Sequence, residues 1–178
     1  DLRADRQPEF TQIDLEMSFV DVDDVIEVNE GFVQYVFKKI LDVDVQLPLR
    51  RIRYEEAMNR FGSDKPDTRF GLELTDLSDL LCNTEFKVFA GALETGGVRA
   101  INVKGGADKL SRKEIDKLVE FVKTYKAKGL AYTRWTADKA TSSFEKFLSE
   151  EEVTALRARM NAEPGDVILV VADPSNAV

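Results

Sequence analysis

The chain has 178 residues, of which 43% are hydrophobic and 33% charged, a composition typical of one globular domain or of one domain with part of another. It contains one cysteine and no histidine, which excludes an internal disulfide, a Ser-His-Asp triad and a histidine metal site. The formal net charge is -8, and no apolar run approaches the roughly 20 residues that cross a bilayer, so we expect a soluble, cytoplasmic protein.

The charge is distributed unevenly along the chain. Residues 1–30 contain ten acids and two bases, which accounts for the entire net charge. Residues 85–148 contain 13 bases and eight acids. A mildly basic middle is compatible with a nucleic-acid partner, whereas a solvated lysine-rich surface is the simpler interpretation.

The first predicted element is a strand over residues 10–20, where apolar and polar side chains alternate with a period of two. Its polar face presents Gln12, Asp14 and Glu16. Carboxylates in a row suit an ammonium group or a metal ion, and arginines in the preceding loop suit phosphate. The segment is therefore a candidate site for a zwitterion beside a polyphosphate, and an ordinary charged edge strand is the alternative.

Two helices are predicted next. Apolar residues recur at helical spacing over residues 22–41, and Asp21 is a suitable N-cap. A shorter helix is predicted over residues 54–61, followed by a turn-rich loop over residues 62–67.

The second half of the chain predicts an alternation of strands and helices. The elements, in order, are a short helix over 75–81, strands over 85–90 and 98–103 joined by a glycine hairpin, a helix from 112 to about 126, a strand over 130–135, a helix over 150–161 and a strand over 167–171. Ser111 with Glu114 forms a capping box, and Ser149 caps the last helix. This order predicts an α+β fold with a mixed or antiparallel sheet.

Several conspicuous residues have plain structural interpretations. Trp135 is expected in the core, and Cys82 is expected to be buried without a redox role. The pair Gly105-Gly106 is expected to form a turn before the capped helix rather than a phosphate cradle.

Three sequence runs carry a resemblance to a known family. A resemblance to the second signature motif of bacterial-type aspartyl-tRNA synthetases, which are class II enzymes, lies at residues 1–19, DLRADRQPEFTQIDLEMSF. Residues 54–74, YEEAMNRFGSDKPDTRFGLEL, resemble the segment that follows this motif in the same enzymes. From about residue 73 the chain resembles the inserted GAD-type domain of the same enzymes, through runs such as VKGGADKLSRKEID at residues 103–116. A subunit of tRNA-dependent amidotransferases contains a similar domain.

The resemblance implies a fold and a set of site residues. It implies part of the antiparallel class II catalytic sheet over residues 1–72 and an α+β insertion domain over residues 73–178. The matched positions are Gln7, which contacts ATP in the family; Asp14 and Glu16, which lie on the side of the aspartate amino group; and Arg3 and Arg6, which approach the acceptor end of the tRNA. A carboxylate opposite an ammonium group favours the charged form of both.

The resemblance also implies an activity. The family activates aspartate with ATP and Mg²⁺ and transfers it to the 3′ end of tRNA-Asp, in some members also tRNA-Asn, and its members are homodimers. In the family an F-R-D-E run precedes the second motif, and its arginine binds the ATP α-phosphate. The 178 residues do not contain that run. We assign them neither a complete set of catalytic residues nor a metal ligand, and we predict that the chain alone is inactive. The alternative function is a non-catalytic tRNA-facing or structural module of the kind found in the amidotransferases.

Overall fold

The structure is a computed structural model that describes residues 7–69, 71–136 and 139–174. The chain divides into two compact units, Asp1–Arg51 and Ile52–Val178. The division into a catalytic segment over residues 1–72 and an insertion domain over residues 73–178 stays a prediction.

The first unit contains one helix, α1 (Val22–Leu41), among its described residues, and the predicted bounds are confirmed. The helix begins where predicted because the backbone N–H of Asp21 donates to the Asp24 carboxylate at 2.7 Å. It ends at Asp42, which adopts a left-handed conformation with φ 53°.

The predicted strand over residues 10–20 is wrong. Residues 7–21 contain neither helix nor strand, and every side chain in that range is exposed. An extended segment becomes a strand only when a neighbouring strand accepts and donates its backbone hydrogen bonds, and none of the described strands pairs with this segment.

The second unit combines four helices and five strands among its described residues. They are α2 (Tyr54–Phe61), β1 (Thr75–Asp76), α3 (Lys87–Leu93), β2 (Gly97–Val103), α4 (Arg112–Thr124), β3 (Ala131–Trp135), β4 (Ala140–Ser142), α5 (Glu150–Arg159) and β5 (Val167–Asp173). Single 3₁₀ turns lie at Gly106–Asp108 and Glu145–Phe147.

The strands form one antiparallel sheet in the order β1-β2-β5-β3-β4. The central pair runs from Gly97 opposite Asp173 to Val103 opposite Val167. The α+β fold is therefore confirmed, and of the two predicted kinds of sheet the antiparallel one is present.

Each face of the sheet has its own core, because successive side chains of a strand point to opposite faces. Ile168 and Val170 belong to a core that includes Phe89 of α3 and Leu156 of α5. The alternate residues of β5 face Ile115 of α4. Trp135 is only 6% exposed in the first of these cores, as predicted.

Three local predictions in this unit are wrong. Residues 85–90 do not form a strand, because Phe86, Phe89 and Leu93 recur at helical spacing and belong to the same core as the sheet. The helix predicted over residues 75–81 is replaced by β1 and turns, since β1 pairs with β2. Cys82 is exposed rather than buried, because the preceding Leu81 takes the core position.

Candidate functional site

The residues matched to a substrate site lie in the irregular segment before α1. Gln7, Asp14 and Glu16 are all exposed. The amide of Gln12 donates to Oδ1 of Asp14 at 2.5 Å. Since these two residues are two positions apart, the contact requires both side chains on the same side of the backbone, which the alternation predicts.

The structure does not join all of the predicted site residues. No hydrogen bond or ion pair in the described part of the chain connects Gln7 with Asp14. Arg3 and Arg6 lie outside the described residues. The roles assigned to these four residues and to Glu16 therefore stay predictions.

The segment after α1 folds back along that helix. Oε1 of Glu30, a residue only 9% exposed, accepts from the backbone N–H of Leu49 at 3.1 Å. The amide of Gln34 donates to the carbonyl oxygen of Val45 at 2.8 Å. These two hydrogen bonds join the segment to α1.

The first unit leaves most of its apolar side chains exposed. Among its described residues only Glu30 is buried. The exposed large apolar side chains include Phe10, Ile13, Leu15, Phe19, Val22, Tyr35, Ile40 and Leu41. An apolar surface of this extent is larger than a soluble domain usually exposes to water.

In the second unit, a buried carboxylate organises the turn that follows β2. Oδ1 of Asp166 accepts from the backbone N–H of Gly105 at 2.9 Å, while Oδ2 accepts from the backbone N–H of Glu163 at 2.9 Å. Oδ2 also accepts from Nδ2 of Asn102 at 3.1 Å and pairs with Nζ of Lys104 at 3.0 Å.

The ionised form of Asp166 is strongly favoured. Its side chain is buried, and burial by itself would raise the pKa, but the hydrogen bonds from Glu163, Gly105, Asn102 and Lys104 outweigh burial and lower the pKa of Asp166 to about 2. The carboxylate is therefore charged at neutral pH and serves as a structural acceptor.

The turn itself requires its two glycines. Gly105 has φ 60°, a left-handed conformation that favours glycine. A Cβ on Gly106 would lie 2.9 Å from Cγ1 of Val103, so this position accommodates only a hydrogen. The next amide, of Ala107, donates to the carbonyl oxygen of Gly165 at 2.8 Å. Because the N–H groups of Gly105 and Ala107 donate to acceptors within the protein, the turn interpretation is supported over a phosphate cradle.

The family profile described as the GAD domain matches residues 89–178, which is half of the chain and includes this turn and most of the sheet. The chain belongs to the GAD domain family.

Relatives of this GAD-domain chain match it over its whole length. It is 62% identical to an aspartate–tRNA ligase of Ruminiclostridium cellulolyticum and 58% identical to one of Agathobacter rectalis. It is 55% identical to an aspartate–tRNA(Asp/Asn) ligase of Caldanaerobacter subterraneus subsp. tengcongensis. In each case 100% of the chain is covered, and the chain spans 30% of the relative's length.

The described part of the GAD-domain chain offers no metal centre. Within residues 7–69, 71–136 and 139–174, no three His, Cys, Asp or Glu side chains lie close enough together to hold an ion. We therefore assign Mg²⁺ no ligand here. None of the helices described is long and apolar enough to cross a membrane.

The sequence analysis did not identify Asp166, although its carboxylate accepts three hydrogen bonds and pairs with Lys104 at the turn after β2, which we call the GAD turn (residues 104–107). Its partners Gly105 and Asn102 lie 61 and 64 positions away in the chain. A signal was present in the sequence, because an aspartate directly before a continuous apolar strand has little reason to be there unless it is hydrogen-bonded.

Proposed function

We propose that this chain is part of an aspartate–tRNA ligase, which activates aspartate with ATP to aspartyl-adenylate and transfers it to the 3′ end of a tRNA. The observation that carries the proposal is the set of relatives, all named as such ligases, that match 100% of the chain at 55–62% identity. The GAD domain match supports the same assignment for the second unit.

In this proposal the segment before α1 contributes substrate contacts. Gln7 contacts ATP, Asp14 with Glu16 attracts the α-amino group of aspartate, and Arg3 and Arg6 contact the acceptor end of the tRNA. The exposure of the two carboxylates supports the proposal, because exposed acceptors remain available to a ligand. The Gln12 amide supports it further, since its hydrogen bond fixes the direction of the Asp14 carboxylate.

The partners of the whole enzyme follow from the same proposal. They are L-aspartate, ATP with Mg²⁺, and tRNA-Asp, within a cytoplasmic homodimer. The name of the Caldanaerobacter relative, aspartate–tRNA(Asp/Asn) ligase, supports including tRNA-Asn among the substrates to be tested. The uncovered apolar side chains of the first unit support cover by further protein of the enzyme.

The alternative, a non-catalytic module of the amidotransferase kind, is not favoured. The relatives reported above are named as ligases, and they match residues 1–72 as well as the GAD domain.

A chimera tests the proposed function. The matching 30% of the Ruminiclostridium ligase is replaced by this chain, and aspartate-dependent exchange of pyrophosphate into ATP is measured. We expect exchange with aspartate and none with glutamate or asparagine, and we expect no exchange from the 178-residue chain alone. A folded chimera without exchange would refute the proposal. Exchange by the chain alone would refute the predicted inactivity.

A further inference from the structure

A half-open cavity of about 610 Å³ lies in the second unit between α3 and the sheet. Its floor is apolar and includes Phe89 and Val170, both almost completely buried. The cavity exists because the side chains around it are small: Gly91, Ala92, Gly129, Ala131 and Ala172. Its volume falls within the range of about 300–1,000 Å³ that is usual for small-molecule sites.

Gly91 has no structural reason to be a glycine. It lies inside α3, where glycine costs roughly 0.5–1 kcal/mol relative to alanine. A Cβ built there meets nothing within 4 Å, and the same holds at Gly129 across the cavity. Neither residue has a left-handed φ. With no side chain at Gly91, the backbone of α3 is directly accessible from the cavity.

The charge around the cavity has one sign. Among the described residues, the lining includes Lys87 and Lys128 but no aspartate or glutamate, in a chain whose formal net charge is -8. Both lysines are exposed, and neither side chain has an ion pair or hydrogen bond within the part of the chain that the structure describes. The hydroxyl of Ser143, also in the lining, already bonds with the backbone of Tyr132. Recognition of a charged ligand therefore depends on the two lysines.

We propose that this cavity binds a small organic anion with an apolar body and a single carboxylate. The apolar body lies against Phe89, Val170 and the small residues, and the carboxylate lies at the solvent edge between Lys87 and Lys128. This inference does not rest on the proposed ligase activity, because it uses only the cavity of the second unit.

The test is an amide NMR titration of the full 178-residue chain with 4-phenylbutyrate, with uncharged 4-phenylbutanol as the matched ligand. We expect saturable shifts at Gly91, Gly129 and Ala131, and tighter binding of the carboxylate than of the alcohol. Lys87→Gln and Lys128→Gln should each weaken phenylbutyrate binding about threefold to fivefold and leave phenylbutanol unchanged, as expected for exposed charge pairs.

Two further variants control the test. Gly91→Leu fills the cavity and should weaken both ligands at least about tenfold, since the apolar body loses its place. Lys113→Gln, an exposed lysine of α4, should change neither. Fluorescence of Trp135 checks that each variant is folded; if Gly91→Leu unfolds, the lysine variants decide. Absence of saturable shifts at about 10 mM ligand, shifts confined to other residues, or equal effects of Lys113→Gln would each overturn the proposal.

Discussion

Asp166→Asn removes one charge from the carboxylate that holds the GAD turn, with almost no change in side-chain volume. An asparagine retains one carbonyl oxygen and replaces the other oxygen with an NH₂ group. Whichever way the amide is placed, that NH₂ group faces the N–H of Gly105 or the N–H of Glu163. One buried backbone donor therefore loses its acceptor and meets a second donor.

Two observations give the expected loss in the free energy of unfolding caused by Asp166→Asn. A buried donor left unsatisfied costs about 1–3 kcal/mol, and the lost charge also weakens the contact with Lys104. Independently, the pKa of Asp166 falls from 3.8 to about 2, which corresponds to about 2 kcal/mol of preference for the ionised form. We therefore expect Asp166→Asn to lower the free energy of unfolding by about 2–4 kcal/mol.

The assay uses the single tryptophan of the chain, Trp135, which lies in the core of the same unit and reports its unfolding in urea by fluorescence. The matched control is Asp116→Asn on α4, whose ion pair with Arg112 at 3.0 Å joins side chains that are 59% and 71% exposed. That control should cost less than about 0.5 kcal/mol. If Asp166→Asn lowers the free energy of unfolding no more than Asp116→Asn does, the structural role assigned to Asp166 is refuted.

Three more outcomes follow from the second unit. Because the pKa of Asp166 is lower in the folded state, its stabilisation is full above pH about 4 and is lost as the pH falls towards about 2; acid titration of Trp135 fluorescence should show this loss in the wild type and not in Asp166→Asn. Gly96→Ala should destabilise by several kcal/mol in thermal unfolding, since its Cβ would lie 2.0 Å from the carbonyl oxygen of Asp173, whereas Gly91→Ala should not destabilise. Ser111→Ala should cost about 1 kcal/mol in the same assay, because α4 loses its N-cap; no loss would contradict the capping assignment.

Short sequence patterns predicted the helices and strands whose ends are set by residues close to them in the chain. The helices α1, α4 and α5 begin at capping residues that interact with a residue three positions ahead, so a short window of sequence contains the whole signal. The strands β2, β3 and β5 were recognisable because their apolar runs are bounded by turns.

Nonlocal features could not be predicted in the same way. Residues 85–93 contain apolar spacings that fit both a strand and a helix, and only packing against the sheet selects α3. The segment over residues 10–20 has a strand pattern without a described partner strand. The contacts of Asp166 and the cavity beside Gly91 join parts of the chain that are far apart in sequence, and no sequence window contains them.

The proposed contact between Asp14 and the amino group of aspartate is tested most directly in the chimera with the Ruminiclostridium ligase. Asp14→Asn should raise the KM for aspartate in pyrophosphate exchange by about tenfold or more, the value of a charge-assisted hydrogen bond, and should leave the KM for ATP within about twofold. Glu27→Gln, an exposed carboxylate of α1, serves as the control. If Asp14→Asn leaves the KM for aspartate as close to the wild-type value as Glu27→Gln does, the claim is contradicted.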